Sequence, residues 1–413
     1  MRSWVLVLCL VLCPWQAWAS GYGVYEWSAR GNALGGAMVA RDADPSAVAY
    51  NPSAITDLPG DQIQIGATAI APMGSMDVES AGLDDMDMAD SVWALPTFYY
   101  TRQLSDHYWF GLGMFSRVGL GTEYDDPDTW AGRYNCSYAA IKSVSINPNV
   151  ALKLSEALSM AVGVDATYLD FAYHMTLGNG DPDYDILHEI SADGWAYGVN
   201  LSARYRPFEW LSFGVLWRSE IEMAVDGTAK FKQKGLISPR ALGFVNGGVS
   251  GTEPVPESVT FGVMVKPMER LSLEFDAVWT RWSSYKELVI KYDELQRFGY
   301  ELSSTKNWSD TWRFQFGAEY ALTKAVDLRA GYVYDQSPIN DSYEDYAVPC
   351  TDRQIVTLGA GWKINESWAV DASYGYLWMS DRDYEARVSA GIIGLTREKA
   401  HAHMAGMSLT YRF

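Results

Sequence analysis

The chain has 413 residues, a net charge of −19 and aromatic side chains at 14% of positions, with 26 Tyr and 17 Trp against 32 Lys plus Arg. That acidity excludes nucleic acid as a partner, because binding it needs a basic footprint. Beyond the first residues no run reaches the roughly 18 apolar residues of a membrane helix, so any membrane crossing falls to strands of about 9–11 residues.

Residues 1–19 read as a secretory signal. Arg2 supplies the positive end, Val5 to Val11 the apolar core and Ala17-Trp18-Ala19 the small-x-small cleavage site. Cys9 and Cys13 do not make a lipoprotein, since Leu8 and Leu12 stand where a lipidation box needs a small residue. From Ser20 onward, 31 cations face 51 acids, a charge of −20.

Residues 20–60 are rich in Gly and Ala, as in Arg30-Gly31-Asn32-Ala33-Leu34-Gly35-Gly36-Ala37 and Ala49-Tyr50-Asn51-Pro52-Ser53. Small residues with few charges suit a compact segment in a confined space, whereas a disordered tail would be more charged. The expectation is a hatch that plugs whatever follows. Asn51-Pro52-Ser53 is its candidate gating turn, since Asn makes local turns and Pro lacks a donor. The bland reading of the same turn is a fixed lead into the first strand.

Residues 61–413 alternate with period two. Fourteen strands are expected, at about 63–70, 94–100, 108–115, 139–154, 160–176, 195–206, 211–223, 259–266, 271–282, 311–320, 326–335, 354–363, 368–377 and 401–413. One face is apolar and ends in Trp or Tyr, as an interfacial girdle requires. The other carries mid-strand charges such as Arg204, Arg206, Arg218, Glu274, Asp276, Arg313, Asp327, Arg329 and Asp371. Those charges are costly in a dry core and pair in a wet lumen, so the apolar face is the lipid-facing one. Connections alternate between tight turns and long loops, as in outer-membrane barrels, which puts both termini on the periplasmic side. Leu409, Tyr411 and the terminal Phe413 share a face, the feature expected of a barrel delivered to the outer-membrane assembly machinery. The fold class is therefore all-β: a 14-stranded antiparallel transmembrane β-barrel with an N-terminal hatch in its lumen.

The long loops hold acidic clusters (Asp84, Asp85, Asp87 and Asp90; Asp125, Asp126 and Asp128), which read as solvated loops or as bridges through divalent ions. Met73, Met76, Met86, Met88, Trp93 and Trp130 offer an adaptable apolar capture surface. Cys136 and Cys350 both fall in long loops, where an oxidising compartment permits a disulfide. Arg218 and Arg313 are the interior candidates for a carboxylate ligand, unless Glu274, Asp276 or Glu319 claims them. No cofactor and no metal site is expected. With five histidines but no G-x-S-x-G elbow, no enzyme is expected, and a lipid-modifying enzyme, or a loop-borne receptor or adhesin, stands only as the alternative.

The run from Gly31 to Leu58 resembles the N-terminal hatch of the FadL family of outer-membrane transporters for hydrophobic compounds, with Ser53 where the family usually has Ala. Further matches follow in order: Gly119 to Tyr124, Asn147 to Ala151, Trp217-Arg218-Ser219, Val255 to Ser258, and Pro349 to Gly361. The resemblance implies a monomer in the outer membrane of a Gram-negative bacterium, in contact with its lipid and lipopolysaccharide. It also implies capture of a fatty acid or aromatic hydrocarbon by the loops, a pocket above the hatch, and exit through the wall near the third strand. Gly111, Gly113, Gly119 and Gly121 are the lateral-gate candidates, because glycine weakens a ladder. No Lys or Arg occurs between Lys153 and Arg204, a stretch that spans the whole fifth strand, and this departure from the fatty-acid members keeps neutral hydrocarbons in view.

Overall fold

The computed structural model describes residues 21–78, 85–178, 181–294 and 301–413. The expected leader, Ser20 and Asp84 lie outside the described residues. Fourteen antiparallel strands close a ring. They are β1 (Asp61–Asp77), β2 (Trp93–Gln103), β3 in two pieces (Tyr108–Phe115 and Gly119–Glu123), β4 (Tyr138–Lys153), β5 (Leu158–Leu177) and β6 (Ile186–Phe208). Next come β7 (Leu211–Arg218 and Ile221–Gln233), β8 (Gly247–Val255 and Ser258–Met268) and β9 (Leu271–Thr280 and Glu287–Tyr292). The ring ends with β10 (Glu301–Thr305 and Thr311–Ala321), β11 (Val326–Asp335), β12 (Arg353–Lys363), β13 (Trp368–Met379) and β14 (Leu395–Arg412). Closure runs from Gln62 opposite Arg412 up to Asp77 opposite Thr396, so both chain ends of the barrel sit at the rim that carries the tight turns.

The face assignment follows from burial. On β9, Leu273 and Phe275 are each 39% exposed on the outer wall, while Glu274 and Asp276 between them are buried. An outward apolar band with inward polar groups is the reverse of a soluble barrel and matches lipid outside.

The strands run longer than the hydrophobic alternation suggests. β5 has 20 residues and β6 has 23, so much of the expected loop after Thr176 is ladder. Beyond the lipid belt both faces turn polar or mixed, which hides the alternation from a hydropathy reading. The extended strands and loops close over the lumen around a shared apolar core that includes Tyr124, Trp130, Cys136, Tyr173, Tyr346 and Cys350. Trp130 stacks on Tyr124 at 4.3 Å and donates from Nε1 to the Cys136 carbonyl at 2.7 Å. Cys136 and Cys350 are buried free thiols, so the disulfide expectation is corrected.

In that extension His188 is fully covered, lies flat on Phe231 at 4.6 Å, and meets the Tyr292 hydroxyl at 3.1 Å through Nε2. Burial, and then His174, push its imidazole down to about 4 from the ordinary 6.5. A lowered histidine pKa makes stability complete above the unfolded value and lost as pH falls through the folded one. Amide exchange across β6 at Leu187–Glu189, corrected for intrinsic rates, should therefore speed up between pH 6.5 and 4. His188→Phe should flatten that profile, and an unchanged slope in the variant would remove His188 as the cause.

Candidate functional site

Residues 21–60 fill the ring. A first helix, Ala29–Ala33, packs on β11 to β14, and a second, Ala47–Tyr50, with the 3-10 turn Pro52–Asp57, packs on β3 to β6. Small side chains permit this approach. A Cβ on Gly214 would lie 2.0 Å from the Val39 carbonyl oxygen, and one on Gly331 would lie 2.3 Å from the Gly35 nitrogen.

Charge then fastens the plug to the wall. Glu274 pairs with Arg41 at 3.0 Å and accepts from the Ala40 amide at 2.7 Å. Asp276 accepts from the Met38 and Val39 amides at 3.0 and 3.2 Å. Glu319 holds Arg30 at 3.0 Å, and near the turn rim Asp57 meets both Arg204 and Arg206 at 2.5 Å. Asn51 caps the 3-10 turn by accepting from Ser53 N at 3.1 Å, while its amide donates to Val39 O at 2.6 Å and Ala203 O at 3.3 Å. Pro52, without an N–H, suits the first position of that turn. Asn51, Pro52 and Ser53 are thus a buried strap between two hatch segments and the wall, tied more widely than a local turn.

The carboxylates expected to compete for Arg218 and Arg313 belong to the hatch instead. Arg218 is spent on Asp165, at 2.9 and 2.7 Å, and on the Ala49 carbonyl at 3.0 Å. Arg117, which the sequence reading did not single out, reaches the same Asp165 at 3.3 Å. Arg313 lies over the Tyr25 ring at 3.9 Å, with its buried Nε lacking a hydrogen-bond partner. All three arginines line a luminal cavity of about 80 Å³.

A second, more apolar cavity of about 560 Å³ lies against the wall between β2 and β3. There the ladder is broken. β2 and β3 pair from Gln103–Trp109 to Phe98–Met114 and then part. Above the gap the segment leading into β2 meets the end of β3 again, through the Met88–Tyr124 bridge and the Ala89 amide donating to Glu123 O at 2.9 Å. Among the described residues, the ladder partner of residues 93–97 is β1, and that of the second piece of β3 is β4. Pro96, which has no N–H to offer a neighbour, stands on this edge. The result is a framed window in the wall.

The glycine candidates divide around it. Gly111 and Gly113 lie below the window and accommodate the hatch, since a Cβ on either would come within 2.9 Å of Val48. Gly119 and Gly121 line the wall cavity, and the Trp93 ring lies across Gly121, where a Cβ would be 2.0 Å away. Met88 also lines this cavity, Met86 is half-buried against the loop core, and Met76 is buried, so the loop capture surface loses Met76 and the fully buried Trp130.

Sequence reasoning missed the partition between the two cavities. Gly23 and Val24 border both. They bridge to the break in β3 through the Gly23–Val118 pair, Val24 N donating to Arg117 O at 3.0 Å and Gly119 N donating to Tyr22 O at 2.9 Å. A Gly-Tyr-Gly triplet just after the expected cleavage site was the available signal.

A ring of strands, lipid-facing outside and plugged inside by its own N-terminal segment, defines an outer-membrane channel protein. Residues 10–413 match the model of the outer membrane protein transport protein family (OMPP1/FadL/TodX), and the chain belongs to that family. It is 24% identical to a long-chain fatty acid transport protein of Escherichia coli O6:H1, over 90% of each chain. In fold it is similar to a Pseudomonas aeruginosa FadL homologue, with TM-score 0.83 and 20% identity over 95% of this chain and 99% of the other. It is also similar to the Pseudomonas putida toluene transporter TodX, with TM-score 0.75 and 16% identity over 95% and 100%. Membership in a transport family removes the basis for the lipid-modifying enzyme alternative.

Proposed function

We propose that this protein takes up a hydrophobic compound, a long-chain fatty acid or an aromatic hydrocarbon, across the outer membrane of a Gram-negative cell. Both barrel ends lie at the turn rim, taken as periplasmic, and Phe413 is presented there to the assembly machinery. The solute enters under the loops, reaches the luminal cavity beside Arg313, and passes to the wall cavity when the Gly23–Val24 partition moves. It leaves through the window between β2 and β3 into the bilayer, avoiding transfer through water that an apolar molecule resists. Lipid and lipopolysaccharide surround the barrel, which works as a monomer.

The carrying observation is the framed window backed by an apolar cavity and separated from the lumen by one short segment. The unpartnered Nε of Arg313 favours a carboxylate-bearing solute. In a deletion strain complemented with the protein, uptake of a labelled fatty acid and a neutral aromatic hydrocarbon would be compared. Asn51→Ala should lower uptake of both several-fold, because the strap holds the hatch in register. Arg313→Gln should lower only the acid, about tenfold if a charge-assisted bond of roughly 1.5 kcal/mol is lost. No uptake of either solute by a correctly inserted barrel would sink the proposal.

A further inference from the structure

The outer face of the last strand carries a pair of histidines that neither the hatch nor the window uses. His401 and His403 stand at alternate positions of β14 and so leave the same face, while Ala402 and Met404 between and after them are buried inside. Across the ladders His401 is opposite Met73 of β1 and Trp378 of β13, and His403 is opposite Ala71 and Tyr376. At the tight-turn rim this seam is girdled by Trp368 and Tyr411, 4.5 Å apart. From Tyr411 up to His401, at about 3.4 Å per residue on a strand tilted roughly 40°, the climb is about 26 Å, the height of the apolar band. The pair therefore sits at the loop-side boundary of the bilayer, with the Tyr376 ring 5.8 Å from His401 and 5.3 Å from His403.

Each ring is held by one nitrogen. His401 Nδ1 lies 2.7 Å from the Lys399 carbonyl, which can only accept, so Nδ1 carries the hydrogen and Nε2 keeps a lone pair. His403 Nδ1 lies 2.7 Å from the Tyr374 hydroxyl, and donation to that oxygen leaves its Nε2 with a lone pair as well. Neither Nε2 has a hydrogen-bond partner among the described residues. The backbone is bent where it makes the first of these contacts. Lys399 has φ +52°, in the left-handed region that favours glycine, where β14 slips register against β1 between Met73 and Ser75. The Asp381 carboxylate accepts from the Lys399 amide at 3.2 Å and fastens this bend.

We infer that His401 and His403 form a two-imidazole site on the outer wall for a divalent transition cation of the zinc, copper or nickel type. Two imidazoles sharing one such ion, bonded at about 2.0–2.1 Å, have ring centres roughly 5–6.5 Å apart. Here the centres are 5.8 Å apart, with the planes at 88°. A ring whose other nitrogen donates to an oxygen is the usual state of a histidine ligand, oriented before the ion arrives. Among the described residues no cluster of three or more His, Cys, Asp or Glu could hold a metal ion. The protein's share is thus these two nitrogens, and the remaining positions go to oxygen ligands from the membrane boundary. Such a donor set suits imidazole-seeking ions and not calcium or magnesium, which demand a shell of oxygens. The site lies outside the barrel and draws nothing from the transport reading.

The test uses the purified full-length barrel in detergent, without a histidine tag, titrated with Zn²⁺ by calorimetry in excess Ca²⁺ so that the acidic loops are already occupied. One Zn²⁺ should bind, and His401→Gln or His403→Gln should each weaken it about tenfold or more. Tyr374→Phe leaves both ligands in place and should still weaken binding about tenfold, because His403 loses the partner of its Nδ1. Cu²⁺ added to the same barrel should give an electron paramagnetic resonance signal split by two nitrogens in the wild type and by one in either histidine variant. Every variant should keep its heat-modifiable gel mobility, since the altered side chains stand on the outer wall. Equal Zn²⁺ affinity in the wild type and the double histidine variant overturns the site, as does displacement of Zn²⁺ by Ca²⁺ or a wild-type copper signal split by a single nitrogen. Unchanged affinity in Tyr374→Phe overturns the orienting role of that hydroxyl.

Discussion

With Gly23 and Val118 both replaced by cysteine, uptake of every solute is expected to fall to the level of cells lacking the protein, and to return on reduction. The two residues face one another in an isolated antiparallel bridge, flanked by the Val24–Arg117 and Gly119–Tyr22 hydrogen bonds. Paired residues across an antiparallel ladder have Cα atoms about 4.5–5.5 Å apart, within the span a disulfide accepts. Native Cys136 and Cys350 are buried free thiols in the same apolar core as Val118, and Cys350 lines the wall cavity with Gly23 and Val118, so both are replaced by Ser in the background. The bond would fix the partition to the edge of the window without touching the hatch ion pairs. Either single cysteine should transport normally, which separates locking from substitution. Undiminished uptake in the oxidised double variant would mean that the solute does not cross the partition. The open cleft at the turn rim, between Leu58 of the hatch and Lys153 of β4, would then become the exit to examine.

Asp165→Ala is expected to cost the folded barrel about 3–5 kcal/mol, the usual result of stripping the partner from a buried ion pair. Asp165 is completely buried on β5 and answers both Arg218 and Arg117. Its loss strands two guanidinium groups inside the wall. Arg218 also reaches the Ala49 carbonyl, so the hatch loosens with the wall. Unfolding by denaturant in detergent, followed by the loss of heat-modifiable gel mobility, reads the change. Adding Arg218→Met should recover part of the stability, because an apolar side chain of similar length needs no counter-charge. A loss below about 1 kcal/mol would place Asp165 among ordinary surface pairs and remove it as the keystone of the luminal charge cluster.

The barrel was legible because its constraint is local and repeated. Alternation at Leu271 to Trp279 or Trp312 to Tyr320 reports which face meets lipid, and each strand announces it independently. Turn lengths carry the order of the strands, since an antiparallel neighbour can follow after two to four residues. The Gly- and Ala-rich composition of residues 20–60 pointed to a segment packed in a confined space, for the same reason that Gly331 admits the Gly35 backbone.

Partners across the lumen were not legible. Nothing in the spacing of Arg218 distinguishes Asp165, 53 positions earlier, from Glu274 or Asp276, and the latter two were claimed by amides and an arginine of the hatch. Trp130 looked like a loop aromatic and Cys136 like half of a disulfide, because burial under other loops leaves no local periodicity.

What the sequence determined by itself is the ring, its orientation to lipid and the presence of a plug, all consequences of period-two patterning and composition. What only the tertiary structure decided is where the ring fails to pair, which glycines serve the window and which the hatch, and that Tyr22 docks among Trp282, Tyr285 and Trp308. Those features arise from contacts between segments tens to hundreds of residues apart, where shape and charge in three dimensions choose the partner and no repeat in the chain can record the choice.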